Sequence, residues 1–373
     1  MSATNGTVQP LELSGALSAY EAIDMTPCIG TEFPTLDLAE ALRAPNSDEI
    51  IRDLAITICR RGVVAFRSQT NMTNELQKEL THRLGELSGK PAGHRLSKHP
   101  LHLIRKDDPE MGILDAGRQQ ALHGGDTTDK RQKASVEWHS DGSYEVCPPD
   151  FTSLRMTDIP RTGGDTLFAS GYELYDRLSE PYQRFFESLT ATHEVPALRK
   201  AAETMEGIYT GPRGAPANTD MLFKQSHPMV RTHPVTGWKT MFAGGLHCRR
   251  VNGVTEWESQ ELLEKILRLV ADNHDLQVRI RWNTPCDMVI WDNRCVLHCP
   301  TQDHYGLGKR MGYRTMSVAE KPFLNLSSPS RLEANAVVGE KAGKKISEVP
   351  VAAPVKIPAV AAPAAAPAVS AQA

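Results

Sequence analysis

Leu276–Pro300, LQVRIRWNTPCDMVIWDNRCVLHCP, is the stretch whose reading decides the fold. LQVRIRW (276–282) and DMVIW (287–291) are short runs rich in β-branched and aromatic residues, separated by Asn283, Thr284 and Pro285. Short runs bounded by turn residues read as strands. The same character marks DFTSLRMTDI (150–159), DTLFA (165–169), PMVRTH (228–233), KTMFA (239–243) and MGYRTMSVA (311–319). Strands thus outnumber helices in the second half and do not alternate with them, which argues against a doubly wound parallel sheet. The expected fold is mostly β with flanking helices around a double-sheeted core.

The helices concentrate on the N-terminal side. Residues 48–61, DEIIRDLAITICRR, carry acids in the first turn, arginines in the last and Gly62 as the stop. Val63-Val64-Ala65-Phe66 follows as a short buried strand, and Asn74–Leu87 as a second helix with Thr73 as its N-cap. A helical stretch is expected over 171–189, with Pro181 as a break or kink, and another from Thr255, where Thr255 and Glu258 form a capping box. Residues 89–135 form a long polar segment, the pattern of a functional or lid-like loop.

Composition bounds the rest. The chain has 373 residues, 42 Lys+Arg against 45 Asp+Glu, and 40% hydrophobic residues. This balance shows no basic stripe for nucleic acid, and no run of about 18 apolar residues suits a membrane span. The N-terminus lacks a secretory pattern, and the seven scattered cysteines suit reduced thiols, so a cytoplasmic location is expected. From Pro350 to Ala373 there are 11 Ala, 5 Pro and one charge, so 337–373 is expected to be a disordered tail. Residues 1–30 are expected to be weakly structured, leaving 31–330 as a single domain with its lid around 89–135.

Trp138-His139-Ser140-Asp141-Gly142-Ser143-Tyr144 is the sharpest chemical feature. On an extended strand, residues i and i+2 share a face, so His139 and Asp141 could aim an imidazole and a carboxylate at one point. A second histidine would complete a facial site of two histidines and one carboxylate, with three open positions suited to Fe(II). Alone, the tripeptide is equally an ordinary surface His–Asp pair. Candidates for the remaining ligand are His193, His227, His233, His247, His274, His298 and His304; His298 stands out because a strand and the Asp292–Arg294 turn lead into it. Cys295 and Cys299 lack a second cysteine pair at zinc-site spacing and read as small buried hydrophobes. Beyond them, Arg310 and Arg314 are an even number of residues apart and would share one side of a strand. Two guanidiniums aimed into a core require anions, although two surface arginines on an edge strand would show the same spacing.

Several motifs in order carry a resemblance: WHSDGSYEVCPPD (138–150), TGGDTLFASGYELYDRLS (162–179), HPMVRTHPVTGWKTMF (227–242) and WDNRCVLHCPTQDHYGLGKRMGYRTMSVAEKPF (291–323). The chain resembles the taurine dioxygenase and dichlorophenoxyacetate dioxygenase family of Fe(II)/2-oxoglutarate oxygenases over about residues 35–325. That resemblance implies a double-stranded β-helix, or jelly-roll, core. It implies His139, Asp141 and His298 as iron ligands, and Thr166 and Arg310 as 2-oxoglutarate contacts. Arg314 would lie near an acidic group of the substrate, and Asp292, Asn293 and Arg294 would support the loop carrying His298.

The implied cofactor is Fe(II), with 2-oxoglutarate and O2 as co-substrates. The implied reaction is hydroxylation of a C–H bond in a small anionic substrate, such as a taurine-like sulfonate releasing sulfite, coupled to formation of succinate and CO2. An intact Asp141 favours hydroxylation over halogenation. The taurine-specific lid histidine has no cleanly aligned counterpart among His94, His99 and His102. The alternative substrate is a larger carboxylated metabolite, hydroxylated or desaturated. A zinc hydrolase using the same ligands and a non-catalytic 2-oxoglutarate sensor are the competing classes. Trp138 and Tyr144 read as pocket lining or core. Relatives imply a homo-oligomer, with neither nucleic acid nor membrane as partner.

Overall fold

The computed structural model describes residues 8–101, 108–115, 134–204 and 208–341. In chain order the strands are β1 (Ile23–Asp24), β2 (Thr31–Phe33), β3 (Val63–Phe66), β4 (Gly112–Asp115), β5 (Pro149–Asp158), β6 (Thr166–Ser170), β7 (Thr190–Glu194) and β8 (Lys224–Pro228). They continue with β9 (Val230–Thr232), β10 (Lys239–Met241), β11 (Cys248–Asn252), β12 (Gln277–Ile280), β13 (Met288–Asp292), β14 (Val296–Pro300) and β15 (Met311–Val318). The helices are α1 (Leu38–Arg43), α2 (Ser47–Arg61), α3 (Asn74–Leu87), α4 (Gly171–Asp176), α5 (Glu180–Glu187), α6 (Pro196–Thr204), α7 (Glu256–Asp272) and α8 (Arg331–Lys341).

The main sheet runs in the order β1-β2-β3-β13-β5-β15-β4, antiparallel except for the parallel β2–β3 pair. Its centre is apolar on both faces. From β13, Met288 and Ile290 pack with Ile51, Leu54 and Ile58 of α2. Val289 and Trp291 point the other way, into a second cluster with Phe168 of β6 and Val278 of β12. Strands buried on both sides read as continuous apolar runs, which is why VVAF and MVIW stand out in the sequence. A smaller sheet, β12-β6-β14, lies across that second cluster, with further strands in β11-β7-β8 and β9-β10.

Local signals fall as the sequence predicts at most helix ends. Thr73 Oγ1 accepts from Leu76 N–H at 3.2 Å, Gly62 caps α2 at φ 77°, and the Thr255–Glu258 capping box is complete. The break expected at Pro181 within 171–189 is present: the stretch is two helices, with Pro181 in the first turn of α5. Other expectations change. The single strand expected over 228–233 is two, since β8 pairs with β7 whereas β9 pairs with β10. Within the expected lid, Gly112–Asp115 is an edge strand on β15. Residues 102–107 and 116–133 of that lid lie outside the described residues.

The N-terminal segment is anchored. The carboxylate of buried Asp53 on α2 accepts the backbone N–H groups of Ser14, Gly15 and Ala16 at 2.8–3.0 Å. The described residues up to Glu333 form one compact unit, and a second unit begins at Ala334. The expected tail beyond Lys341 lies outside the described residues. Among the described residues no helix is long and apolar enough to cross a membrane, and all seven cysteines are unpaired thiols.

Candidate active site

The β6–β14 ladder sets the site. His298 pairs with Phe168, and Pro300 with Thr166. Directly opposed residues of an antiparallel pair project to the same side, so His298, Phe168 and Thr166 share one face. The Trp291 ring of the main sheet lies 4.8 Å from that of His298, so this face looks into the space between the sheets. On the free edge of β14, His139 forms a single-residue bridge with His298, with ring centroids 4.2 Å apart.

Asp141 reaches the same point by a different route from the one the i, i+2 strand spacing suggested. After His139 the chain leaves extended geometry, and residues 141–144 form a turn. Asp141 Oδ1 nevertheless lies 3.8 Å from Nε2 of both His139 and His298. One ligand atom from each of the three residues lies within 4.8 Å of the others, a group able to hold a metal ion. His139 Nδ1–H donates to the Glu137 carbonyl at 2.7 Å, which leaves its Nε2 lone pair for a cation. Burial pushes the His298 imidazole well below its ordinary pKa, keeping it neutral and ligand-competent. Burial would raise the Asp141 carboxyl, but the charge of Arg314, helped by the hydrogen bond from Thr152, holds it below the usual range, so it stays ionised.

Arg310 and Thr166 lie beside this group. Arg310 precedes β15, is 6% exposed, and donates Nε–H to the Gly164 carbonyl at 2.9 Å. Gly164, at φ +70°, has to be glycine here, because a Cβ would lie 2.9 Å from Arg310 Cδ and 3.0 Å from Nε. Among the described residues this guanidinium has no carboxylate within ion-pair distance; burial lowers its pKa to about 10, still charged at neutral pH. Thr166 Oγ1 is likewise buried without a partner. A buried cation and an orphaned hydroxyl on the histidine face fit an anionic ligand with its own acceptor oxygens.

Arg314 lies within β15 and donates from Nη1 to Asp141 Oδ1 at 3.0 Å. It lines a small cavity with Ser97, His99, Glu110, Thr315 and Met316. Of the lid histidines, His99 lines this void with Arg314, His94 is bonded to the Ala319 carbonyl, and His102 lies outside the described residues. The other histidines disperse. The His247 ring lies tilted beside that of His139, centroids 5.4 Å apart, and is bonded to the Ser140 carbonyl. His193 and His227 pack together near Phe242, and His304 sits against Gly164 and Arg310.

A second buried group, Cys59, His233 and Asp292, has the donor types for a metal. Arg294 already occupies it, donating twice to Asp292 at 2.8–2.9 Å and to Cys59 Sγ at 3.2 Å, while His233 Nε2 donates to Asp292 at 2.9 Å. That network ties the turn before β14 to α2. Trp138 is core, and Tyr144 packs on Phe223 and His247. Two more polar residues belong here: Thr152, from a strand run with no motif, and Asn293, expected only as support for the loop carrying His298. Thr152 donates to Asp141 Oδ2 at 3.0 Å, and the Asn293 side chain accepts the Asp141 N–H at 3.1 Å.

Two sheets enclose a His–Asp–His group and a buried arginine without an ion-pair partner among the described residues, an arrangement suited to a metal-dependent enzyme that takes an anionic ligand. The sequence model of the family described as taurine catabolism dioxygenase TauD, TfdA family matches residues 21–316, and the chain belongs to that family. The alpha-ketoglutarate-dependent dioxygenase oryG of Aspergillus oryzae is 75% identical over 332 residues, covering 89% of this chain and 97% of its own. The alpha-ketoglutarate-dependent sulfonate dioxygenase of Saccharomyces cerevisiae is 33% identical over 306 residues, covering 81% and 68%. The crystal structure of a taurine dioxygenase from Burkholderia xenovorans superposes with a TM-score of 0.60 at 25% identity, covering 81% of this chain and 90% of that one. The protein is therefore an Fe(II)- and 2-oxoglutarate-dependent dioxygenase that uses O2.

Proposed function

We propose that His139, Asp141 and His298 hold the Fe(II), that Thr166 and Arg310 hold 2-oxoglutarate, and that Arg314 faces an anionic substrate whose C–H bond is hydroxylated. In this reading the paired sheets are a double-stranded β-helix, and residues 31–330 work as one catalytic domain. The observation that carries it is the buried Arg310 guanidinium, without an ion-pair partner among the described residues, beside the orphaned Thr166 hydroxyl on the face that bears His298.

Fe(II) held there would supply the centre at which O2 is reduced as 2-oxoglutarate loses CO2. The chain's own groups do the rest. The neutral histidines and ionised Asp141 give a donor set of net charge −1, leaving positions for a chelating co-substrate. Arg310 and Thr166 orient that co-substrate through charge-assisted hydrogen bonds, each of about 1.5–3 kcal/mol. Trp291, Phe168 and Val278 line the apolar side and exclude water. The balance is substrate R–H, 2-oxoglutarate and O2 giving R–OH, succinate and CO2. With a sulfonate, hydroxylation at the sulfur-bearing carbon gives an adduct that splits into an aldehyde and sulfite.

The Arg314 guanidinium, placed at the metal-binding group by its bond to Asp141, supports a small anion such as a sulfonate. A second reading takes a larger carboxylated metabolite, hydroxylated or desaturated. In its favour, the 75% identical relative carries no sulfonate in its name, whereas the relative that does is 33% identical. Both rest on a guanidinium that binds either oxyanion. The test is conversion of 2-oxoglutarate to succinate with Fe(II) and O2 across a panel of sulfonates and carboxylates. Sulfite release with a sulfonate supports the first reading, and a hydroxylated or unsaturated carboxylate supports the second. Full coupled turnover by His139→Ala defeats both.

A further inference from the structure

The two oxygens of Asp141 are not equivalent. Oδ1 faces Nε2 of both histidines and accepts a hydrogen bond from Arg314 Nη1 at 3.0 Å, whereas Oδ2, turned away from the histidines, accepts one from Thr152 Oγ1 at 3.0 Å. The direction of that bond is set by its neighbours. Asn293 Oδ1 accepts from Trp291 Nε1–H at 3.0 Å and from the Asp141 backbone N–H at 3.1 Å. Its Nδ2 must then point the other way, and it donates to the Asp150 carbonyl at 3.1 Å and to Thr152 Oγ1 at 2.7 Å. The Thr152 hydroxyl, with a lone pair engaged by Asn293, is left to give its proton to Asp141. Ser140 Oγ–H adds a bond to the Asn293 carbonyl at 2.8 Å. Thr152, Asn293 and Asp141 are 0%, 1% and 4% exposed, so water has little access to these bonds.

We propose that Thr152 and Asn293 are positioning residues that hold the Asp141 carboxylate by its backbone and by Oδ2, so that a metal receives Oδ1 alone. Binding through one oxygen keeps open the positions that a chelating co-substrate and O2 require, whereas binding through both would close one of them. The inference rests on the reading of His139, Asp141 and His298 as the metal ligands. It adds a direct link from the turn before β14, which carries Asn293, to the turn that carries Asp141. A displacement at either ligand is thereby felt at the other.

The test uses the full-length protein with Co(II) as the metal probe, its affinity and visible absorption read without turnover. Thr152→Val removes the hydroxyl at nearly constant volume, and Thr152→Ala does so without adding any atom, should valine impair folding. Either is expected to bind Co(II) about tenfold more weakly, within the range for lost outer-shell partners, with an altered absorption spectrum and weaker 2-oxoglutarate binding to the Co(II) form. Thr152→Ser, which keeps the hydroxyl, restores all three. Wild-type affinity and spectrum in the hydroxyl-free variants, or failure of serine to restore them, overturns the proposal. Asp141→Ala separates the two levels: if it retains wild-type Co(II) binding, the ligand reading itself fails, whatever Thr152 does.

Discussion

His139 and His298, far apart in the chain, exchange both backbone hydrogen bonds: His139 N–H donates to the His298 carbonyl at 2.9 Å, and His298 N–H donates back at 2.8 Å. The two imidazoles are thus held side by side by the main chain, before any cation draws them together. A site of this kind is pre-organised by sheet pairing, and its fidelity depends on the backbone around residue 139.

Gly245 is where that dependence is most exposed. A Cβ at this residue would lie 1.9 Å from the Trp138 carbonyl oxygen, which accepts the Leu246 N–H at 2.7 Å, and φ is +75°. Backbone atoms cannot swing aside as a flexible side chain can, so Gly245→Ala should displace Trp138 and His139. Backbone strain alone amounts to about 1–2 kcal/mol. The expected outcome is a lower melting temperature together with at least about tenfold weaker Co(II) binding. Retention of both would show that residue 139 is set by something other than this contact.

Arg310 is a buried charge awaiting a partner, and its removal should separate stability from function. Arg310→Met should leave the ligand-free protein as stable as wild type or more so, because burying an unpaired cation is unfavourable. The same variant should raise the KM for 2-oxoglutarate by about 10–100-fold, the equivalent of one charge-assisted interaction. Added 2-oxoglutarate should stabilise the wild type with metal bound and no longer stabilise the variant. Thermal unfolding with and without the co-substrate measures both effects.

The Glu145–Arg213 pair behaves in the opposite way. Arg213 donates Nε to Oε1 at 2.5 Å and Nη2 to Oε2 at 2.8 Å, with both residues buried and the arginine stacked on Phe223. Breaking a buried pair strands the survivor's charge, so Glu145→Ala should destabilise by about 3–5 kcal/mol. Removing both, as Glu145→Leu with Arg213→Met, should recover much of that loss. Urea unfolding of the single and double variants decides it.

Acid stability should follow the histidines behind the site. His227 is 1% exposed, and burial pushes its imidazole down to about 4, although its bond to the Glu145 carbonyl favours the proton. The unfolded chain takes up that proton near its ordinary value of about 6.5, so the neutral buried form contributes fully above that pH. As pH falls from about 6.5 to 4 the unfolded state gains a proton the folded state resists, and about 3 kcal/mol is lost. His193, buried and likewise pushed well below its ordinary value, adds with the same sign. Urea unfolding between pH 7.5 and 5 should therefore fall less steeply in His227→Gln than in wild type; parallel slopes would refute the assignment.

Much of this molecule is written locally. The both-faces-buried strands around Val63–Phe66 and Met288–Asp292 stand out because a strand with no solvent face has no reason to carry polar residues. Capping at Thr73, Gly62 and Thr255 is local chemistry within one turn. His139 and Asp141 can be singled out because they lie within three residues, whereas His298 stands out among several histidines and is assigned only through the family resemblance. Other parts have no local mark. Thr152 is one more residue in a strand run, His247 one histidine among thirteen, and Gly245 one of two adjacent glycines in a loop. Their roles come from what the fold brings against them.

By itself, then, the sequence pointed to a mostly β fold, since periodicity and caps are read over a few residues, and through its ordered motifs to the family and to His139, Asp141 and His298 as candidate metal ligands. Only the tertiary structure decided that Asp141 arrives on a turn and not on a strand, that Arg310 lacks an ion-pair partner among the described residues while Arg314 rests on Asp141, and that Thr152 and Asn293 restrain the carboxylate. Each of these is a contact between segments distant in the chain, fixed by strand register and burial, and register is a property of pairs of strands that no single segment encodes.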